Sequence, residues 1–484
     1  MNSFALLIDF GSTYTKVVAV DLRISEVIGR SQAASTVNTD VREGLMQALA
    51  TLHEKHALFD APPTNLKALE DKLVLASSSA AGGLRMAVIG LVPGLTVEAA
   101  NQAALGAGGK LVGSWSFKLA EKAMDEIATQ RPDMILLTGG TDGGDSATIL
   151  HNTRLLARSG LSVPIVMAGN QAVAAEVCDI LKNHGKEVRC ATNVMPRSGQ
   201  LAVESAREEI RKLFMERITQ AKGLDGLTGL VPVILPTPMS ALQGALLGSQ
   251  GTENETGWGD MLVIDVGGAT TDVHSIGYGQ ATGPQIVEQG LPEPFAKRTV
   301  EGDLGIRFNA GTLLDRVGID EFEKEFRAGF PGLKVSAAEI TQYIKQISQE
   351  TSRVPGGDWQ SAVDAQLARV AVELAVERHV GKRERIITRE GEAWVYYGKD
   401  LSETRTLIGT GGVFIYNSYI SHILSPAADG DYRYDVLRPK NPSLFVDSSY
   451  LLYAVGLLSQ SQPDVAARLF KKYMTPIVSP RAGD

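Results

Sequence analysis

Two stretches of the chain repeat nearly the same pattern of hydrophobic and polar positions. Apolar residues run through 4–8 and 261–264, and each run ends in an aspartate, Asp9 or Asp265. A glycine follows two residues later, and small or hydroxyl-bearing residues come next. This pattern is typical of a strand, a tight turn and a return strand, because glycine permits unusual backbone angles. We therefore predict two β-hairpins that are copies of each other.

Both predicted turns carry groups that suit a phosphate chain. Hydroxyl and backbone N–H groups can donate to phosphate oxygens, Lys16 can balance their charge, and Asp9 and Asp265 suit hydrated Mg²⁺. An ordinary hairpin can also contain Asp-x-Gly-x-Thr, but two copies, one in each half of the chain, favour nucleotide binding. The candidate phosphate-binding residues are Gly11, Ser12, Thr13, Tyr14 and Lys16 in the first copy and Gly267, Gly268, Ala269, Thr270 and Thr271 in the second.

A third glycine-rich motif lies at residues 407–414, where an apolar strand runs into a turn and then into an apolar helix. Such a turn lets the backbone lie flat against a ligand, and the N-terminus of the following helix favours anions. The alternative is a plain strand-to-helix turn. The candidate binding residues are Gly409, Thr410, Gly411 and Gly412.

Residues 72–200 have a different pattern, in which short apolar runs alternate with helical periodicity. This alternation predicts βαβ units and a parallel sheet, which we interpret as an inserted doubly wound (Rossmann- or flavodoxin-like) domain. The glycine-rich segment 138–145 follows one predicted strand, and strand ends of open parallel sheets bind ligands. Gly139, Gly140 and Asp142 are therefore candidate binding residues. The alternative is a flexible loop with Asp145 as the N-cap of a helix.

The segment 298–307 places Glu301 and Asp303 on either side of Gly302, with an arginine at each end. It could bring a carboxylate near the metal, or it could form a salt-bridged turn. Three amphipathic helices are predicted at about 320–380, separated by Pro-Gly pairs.

Composition narrows the class of protein. The chain has 484 residues, 44% hydrophobic and 21% charged, and a net charge of −8, which argues against nucleic acid or an anionic membrane as partner. It contains no long apolar stretch for a transmembrane helix, and Asp9 interrupts the first apolar run, so we expect a cytoplasmic protein without a signal peptide. Cys178 and Cys190 lack metal-ligand spacing, and we expect ordinary buried thiols.

In this order, the three motifs resemble the phosphate-1, phosphate-2 and adenosine motifs of the actin-like ATPases, the superfamily of actin, sugar kinases and large heat-shock chaperones. The resemblance implies an α/β fold with an actin-like core of two duplicated lobes. Two connecting helices are expected at 238–247 and 448–458, with small residues where they could cross. The expected boundaries are 1–71 for the first part of lobe I, 72–200 for the insert, 201–259 for the return to lobe I and 260–484 for lobe II.

Five segments narrow the resemblance, namely 9–16, 137–144, 265–272, 300–307 and 408–412. Together they resemble the MutL (GlmL) family associated with glutamate mutase, over nearly the whole chain. This family is unrelated to the mismatch-repair protein of that name. The resemblance implies ATP and Mg²⁺ as ligands and an adenosylcobalamin-dependent mutase as partner. It also implies a chaperone or reactivase role, in which ATP drives the release of damaged cobalamin.

One feature departs from the superfamily pattern. Chaperones of this fold have a glutamate at the start of the first connecting helix, where it positions the attacking water, but residues 235–240 of this chain contain no carboxylate. The role could pass to Asp9, Asp265, Asp272 or Glu301, or hydrolysis could be slow.

Three hypotheses follow. The leading one is an ATPase that binds and hydrolyses Mg·ATP between two lobes and acts on a partner enzyme. The second is a small-molecule kinase of the same fold, which would transfer phosphate to a metabolite without a partner protein. The third is a nucleotide-gated scaffold, which would bind ATP with negligible turnover.

Overall fold

The computed structural model describes residues 4–11, 14–36, 39–79, 84–219, 231, 234–281, 286–389, 391–428 and 435–477. The chain divides into two compact units. Unit 1 comprises residues 1–244, 290–292 and 453–469, and unit 2 comprises residues 245–289, 293–452 and 470–484. Among the described residues, no helix is long and apolar enough to cross a membrane.

Strands and helices alternate along both units. The strands are β1 (Phe4–Phe10), β2 (Tyr14–Asp21), β3 (Glu26–Ala34), β4 (Leu73–Ser78), β5 (Leu84–Gly90), β6 (Gly109–Ser116), β7 (Met134–Leu137), β8 (Ile165–Met167), β9 (Val188–Cys190), β10 (Ile234–Pro236), β11 (Met261–Val266), β12 (Thr271–Ile276), β13 (Ile286–Gln289), β14 (Ala296–Glu301), β15 (Lys382–Thr388), β16 (Gly391–Tyr397), β17 (Thr406–Thr410), β18 (Ser443–Asp447) and β19 (Met474–Pro476).

The helices are α1 (Val41–His56), α2 (Glu98–Gly106), α3 (Glu121–Thr129), α4 (Ala147–Arg158), α5 (Ala174–Asn183), α6 (Glu204–Thr219), α7 (Thr237–Gln250), α8 (Ala310–Val317), α9 (Ile319–Gly329), α10 (Ala337–Gln349), α11 (Asp358–His379), α12 (Gly412–Tyr416), α13 (Ile420–Ala428), α14 (Leu452–Leu458) and α15 (Pro463–Tyr473).

The two units contain sheets of the same topology. The sheet of unit 1 has the order β3-β2-β1-β4-β10, and the sheet of unit 2 has the order β14-β12-β11-β17-β18, followed by β19. In each, the first three strands are antiparallel and the next two run parallel to the central strand. This duplication confirms the predicted α/β fold with two actin-like lobes.

The central strand of the unit 1 sheet is covered on both faces, since every residue of β1 is buried. Helix α1 covers one face, and its buried residues Val41, Leu45, Ala48, Leu49 and Leu52 recur at the spacing of a single helix face. Asp40 caps this helix, because its side chain accepts a hydrogen bond from the N–H of Arg42. The periodicity of this segment thus specifies both the helix and its packing.

The insert forms its own parallel sheet of five strands, in the order β6-β5-β7-β8-β9. Numbered within the insert, this is the order 2-1-3-4-5 of a doubly wound, flavodoxin-like sheet, as the βαβ pattern predicts. One boundary needs correction. The prediction started the insert at residue 72, but β4 pairs with β1 in the sheet of unit 1, and the first strand of the insert is β5.

Unit 2 adds a helical block to its sheet. The helices predicted at about 320–380 are α9, α10 and α11, and α8 precedes them. Ser336 and Glu339 form a capping box at the start of α10. Apolar residues of α8 to α11 pack with the buried residues of β11 and β12 in one core, which ties the block to the strands that carry the second predicted turn.

The two cysteines correct the expectation of free thiols. The sulfur atoms of Cys178 on α5 and Cys190 at the end of β9 are 2.08 Å apart, in a disulfide bond. Their separation of 12 residues spans a helix and the following strand, so the sequence alone gives no sign that the two side chains meet.

Small residues let α7 and α14 cross closely, as predicted for the connecting helices. A Cβ atom added to Gly456 of α14 would lie 1.7 Å from the carbonyl oxygen of Ser240 on α7. Real Cβ atoms do not approach this closely, so glycine is required at the crossing.

We predict that Gly456→Ala destabilises the protein by about 1–3 kcal/mol, because the helices must separate to admit the methyl group. Urea unfolding of the variant should give a lower midpoint. Gly311→Ala is the matched control, since no atom lies within 4 Å of its added Cβ on α8. That substitution should be neutral or stabilising by up to about 1 kcal/mol. Equal unfolding midpoints for the two variants would contradict a tight crossing.

Candidate functional site

The turn between β1 and β2, predicted to bind phosphate, is closed by a backbone hydrogen bond. Asp9 pairs with Lys16 across the two strands, and the N–H of Gly11 donates to the carbonyl of Tyr14 at 3.0 Å. A Cβ on Gly11 would lie 2.6 Å from that same carbonyl oxygen, so the turn requires glycine. The predicted residues Ser12 and Thr13 lie outside the described part of the chain.

The carboxylate of Asp9 is buried at the end of β1, with 1% exposure. Its Oδ1 accepts hydrogen bonds from the hydroxyls of Ser77 at 3.1 Å and Thr237 at 2.6 Å. Lys16 Nζ lies 3.6 Å from Oδ2 and is partly exposed to solvent. Three strand ends of unit 1 thus converge on one anionic group, with a cation beside it.

The turn between β11 and β12 repeats this arrangement. The N–H of Gly267 donates to the carbonyl of Thr270 at 2.9 Å, as Gly11 does to Tyr14. The buried hydroxyl of Thr271 donates to the carbonyl of Leu304 at 2.8 Å. The two predicted turns therefore have the same hydrogen-bonded closure.

The second copy differs in its charges. Asp265 faces Asp272 across the strands, where the first copy pairs Asp9 with Lys16. The buried guanidinium of Arg298 donates to Asp272 Oδ1 at 2.6 Å, and Thr270 donates to Oδ2 at 3.1 Å. Asp272, a candidate catalytic group, therefore has both carboxylate oxygens engaged within unit 2.

The segment after β14 lies directly on the second turn. The N–H of Ile306 donates to Gly267 O at 3.1 Å, and that of Arg307 donates to Gly268 O at 2.9 Å. The side-chain amide of Asn309 donates to Ala269 O at 3.0 Å. The sequence left open whether this segment is a site element or a salt-bridged turn, and the structure shows hydrogen bonds to the second turn together with salt bridges.

The salt-bridged feature involves Glu301 and Asp303. Both carboxylates pair with Arg378 near the end of α11, and Asp303 also pairs with Arg316 at 2.7 Å. Burial raises the pKa of Glu301, whereas the hydrogen bond from Arg378 lowers the pKa of Asp303. Glu301, another candidate catalytic residue, is therefore held by a cation on the helical block.

Arg307 links the second turn to the helical block. Its guanidinium donates to the buried carboxylate of Asp364 on α11 at 2.6 Å. The hydroxyl of Tyr343 on α10 donates to the same carboxylate at 3.1 Å. Burial raises the pKa of Asp364, and the ion pair with Arg307 opposes that effect.

The predicted adenosine motif lies beside Asp265 within unit 2. Strand β17 pairs with β11, and Gly411 has a φ of 107°, in the region that favours glycine. A Cβ on Gly411 would lie 2.7 Å from Asp265 Oδ1. A Cβ on Gly409 would lie 2.6 Å from the ring of Phe414, and Gly412 begins α12. Two of the predicted motifs are thus adjacent.

Thr410 anchors this motif to a carboxylate that the sequence analysis missed. Its hydroxyl donates to Asp447 Oδ2 at 3.0 Å. Asp447 is fully buried, and it also accepts from the N–H groups of Leu451 and Leu452 at 2.8 and 2.9 Å. Burial raises the pKa of this carboxyl, and the backbone donors oppose the rise. An aspartate shortly before an apolar helix is an N-cap signal, which could have identified it.

Ser77 and Thr237 were also missed as partners of Asp9. Ser77 is the penultimate residue of β4, and Thr237 begins α7, far from Asp9 in sequence. Thr237 falls in the segment that lacks the superfamily glutamate, so a hydroxyl stands near the position where a carboxylate was expected. No local sequence signal indicates either contact.

The predicted residues Gly139, Gly140 and Asp142 lie in the insert, at the end of β7. They belong to a different sheet from the Asp9 turn. Asp142 Oδ1 accepts from Asn193 Nδ2 at 2.9 Å and from the N–H of Gln171 at 3.0 Å. The loop is thereby fixed to the strands that follow it.

The carboxylates at the two turns are the candidate metal ligands. Among the described residues, no group of three or more His, Cys, Asp or Glu side chains could hold a metal ion. Mg²⁺ needs only one or two carboxylates when water and phosphate supply its other ligands. The predicted metal residues, Asp9 in unit 1 and Asp265 in unit 2, each supply one carboxylate at their own turn.

Two buried histidines behind the second turn make unit 2 sensitive to acid. Burial lowers the pKa of His274 to about 4 and that of His379 well below its ordinary value. Both side chains are therefore neutral in the folded protein, while the unfolded chain takes up protons below about pH 6.5. Stability is present above that pH and is lost as the pH falls towards 4.

We predict that His274→Leu flattens this pH dependence. Neither ring nitrogen of His274 has a hydrogen-bond partner in the described structure, so leucine sacrifices no bond. Each buried neutral histidine should contribute a slope of about 1.4 kcal/mol per pH unit. Urea unfolding at pH 7.0 and 5.5 measures how much the free energy of unfolding changes with pH. Substitution of an exposed histidine, His184→Gln, is the control. An unchanged slope in the leucine variant would show that His274 does not titrate as described.

The sequence has a relative that it matches along nearly its whole length. It is 40% identical to "Protein MutL" of Clostridium tetanomorphum over 475 residues, which cover 98% of this chain and 99% of that protein. Among solved structures, it aligns with a glycerol dehydratase reactivase at 10% identity and a TM-score of 0.32, covering 94% and 100% of the two chains.

It also aligns with a carbohydrate kinase from Novosphingobium aromaticivorans at 13% identity and a TM-score of 0.30, covering 95% and 92%. Residues 5–474 match the profile of the family described as "MutL protein". The chain belongs to the MutL family.

Proposed function

We propose that this protein is an ATP-dependent reactivating chaperone for a cobalamin enzyme, specifically an adenosylcobalamin-dependent mutase of the glutamate mutase type. The observation that supports the proposed binding of ATP is the pair of turns closed by Gly11 and Gly267. Both have the same hydrogen bond, and both follow an aspartate at the end of a central strand. The reactivase part is supported by membership in the MutL family, whose association with the mutase we extend to this chain.

The phosphate contacts are assigned to both turns. Backbone N–H groups and hydroxyls of Ser12, Thr13, Thr270 and Thr271 would donate to phosphate oxygens, and Lys16 would supply a cation. Gly409, Gly411 and Gly412 would flank the adenosine, where the absence of side chains allows close approach.

Asp9 and Asp265 would hold the water shell of Mg²⁺. When bound, this ion neutralises phosphate charge during transfer. The hydroxyls of Ser77 and Thr237 orient the Asp9 carboxylate, so its Oδ2 remains the oxygen beside Lys16. That preorganisation keeps the carboxylate in one position at the turn.

Hydrolysis would be an in-line attack of water on the γ-phosphate, in which positioning supplies most of the acceleration. Asp272 and Glu301 are held by Arg298 and Arg378, so we assign them to positioning the second turn. Water orientation is assigned to Asp9 and Asp265. Because Thr237 replaces the expected glutamate, we expect slow turnover, suited to a chaperone cycle. The proposed location is the cytoplasm.

The test measures phosphate release from Mg·ATP by the purified protein, alone and with an adenosylcobalamin mutase inactivated by its damaged cofactor. We expect ATP-dependent recovery of mutase activity. Asp9→Asn and Asp265→Ala should abolish both turnover and recovery. Asp21→Asn is the matched control, since Asp21 ends the same hairpin but binds Arg23 on the surface.

Three outcomes would overturn the proposal. ATP binding without turnover or recovery would leave a scaffold. Phosphate transfer to a metabolite in the absence of a mutase would indicate a kinase. Failure to bind ATP at all would show that the paired turns serve another purpose.

We predict that Thr237→Val lowers the turnover number by about tenfold or more, because a hydrogen bond to a charged group is lost. Thr237→Ser keeps the hydroxyl and should restore most of the activity. Steady-state kinetics measure the turnover number and the affinity for ATP, and we expect the turnover number to fall by the larger factor. Equal activity of the valine and serine variants would remove Thr237 from the mechanism.

A further inference from the structure

The strand order of the insert creates a crevice that the nucleotide motifs do not use. From β5 the chain turns through α2 to β6 on one side, whereas β7 lies on the other side and leads through α4 to β8. In open parallel sheets, ligands bind outside the carboxyl ends of the strands at such a reversal. The reversal here lies between β5 and β7.

The two strand ends at this reversal are in contact and well fixed. The hydroxyl of Thr138 after β7 donates to Ile89 O of β5 at 3.0 Å. A Cβ on Gly139 would lie 3.4 Å from the nitrogen of Leu91. Thr96 accepts from the N–H groups of Leu91 and Val92 at 2.9 and 3.0 Å, which fixes the chain after β5. These contacts hold the backbone after β5 and after β7 in place at the bottom of the crevice.

Phe117 stands exposed at the edge of this crevice. It follows β6, has a φ of 64° and is 56% exposed. Its N–H donates to Leu91 O at 3.1 Å, and its carbonyl accepts from Asn152 Nδ2 at 2.9 Å. A left-handed backbone is strained for phenylalanine, and such strain persists where neighbours impose it, often at ligand clamps. The fold thus keeps an aromatic ring exposed to solvent although the left-handed backbone at this residue costs conformational free energy.

The loop after β7 offers donors on its other side. None of the residues that the structure describes accepts a hydrogen bond from the N–H groups of Gly139, Gly140 or Thr141. Consecutive N–H groups of this kind suit an anion.

The acidic side chains of the same loop are engaged elsewhere. Asp142 binds Gln171 and Asn193, which follow β8 and β9, and Asp145 Oδ2 accepts from the N–H of Thr148 at 3.1 Å. Asn170, fully buried after β8, accepts from the N–H of Gly143 at 3.0 Å. The loop is therefore fixed to β8 and β9, while Gly139 lies beside the end of β5.

We propose that this crevice binds a small ligand that combines a flat ring system with a phosphate group. Phe117 stacks on the ring, and the N–H groups of Gly139, Gly140 and Thr141 donate to the phosphate. Exposed Lys118 adds a cation next to Phe117. This ligand is separate from the ATP of the proposed function, and the inference does not depend on ATP turnover.

The experiment titrates the full chain by calorimetry, first without Mg·ATP and then in its saturating presence. The three probes have both features, namely hydroxocobalamin, FMN and AMP. Cobinamide, riboflavin and adenosine are the counterparts without phosphate. We expect at least one phosphorylated probe to bind, and its counterpart to bind about tenfold or more weakly. Phe117→Ala should weaken binding about tenfold, because stacking on an aromatic side chain is lost.

Phe117→Asn separates binding from folding. Asparagine tolerates a left-handed backbone, so its thermal midpoint should equal or exceed that of the wild type while binding is lost. Ile387→Ala, at a side chain that is 84% exposed on β15, is the control and should bind normally.

Several results would overturn the inference. These are no binding by any of the three probes, displacement of the probe by Mg·ATP, or undiminished binding by both Phe117 variants. A Phe117 variant that impairs only the contact with the mutase would also overturn it, since it would make Phe117 a protein-docking residue.

Discussion

The architecture of unit 1 depends on one buried carboxylate. Asp9 is almost inaccessible to solvent, so its charge must be satisfied by the protein. Ser77 from β4 and Thr237 from the start of α7 donate to one oxygen, and Lys16 lies beside the other. These contacts require β1, β4 and β10 to end at the same level. The requirement places the glycine turn at the carboxyl end of the central strand β1, next to the ends of β4 and β10.

The hairpin of unit 2 has the same backbone arrangement as that of unit 1 but a different set of charged residues. Where the first hairpin pairs Asp9 with Lys16, the second has two carboxylates facing each other, Asp265 and Asp272. Two like charges at this spacing would repel, and the buried Arg298 compensates by binding Asp272. Topology is therefore shared between the units, but electrostatics is not. The lysine of the first turn suits a phosphate, whereas the arginine of the second is committed to the protein.

Local features of the structure were predictable from sequence, and nonlocal ones were not. The hairpins, the helix α1 and the parallel insert follow from periodicity and glycine positions, which act within a few residues. The insert boundary was placed too early, because an apolar run such as β4 does not reveal which sheet it joins. The contact between Asp9 and Thr237 joins residues 228 positions apart, and the Cys178–Cys190 disulfide also depends on tertiary placement.

The same distinction applies to the candidate site in unit 2. The sequence indicated the turn and the following carboxylates but not the arginines that hold them. Arg307 donates its backbone N–H to Gly268 and its side chain to Asp364, which also binds Tyr343. Removing either partner of this pair would leave a buried charge uncompensated, which is costly. A shift of the turn must therefore either break the Arg307–Asp364 pair or move α11 with it. The second turn and the helical block are thus coupled and move together.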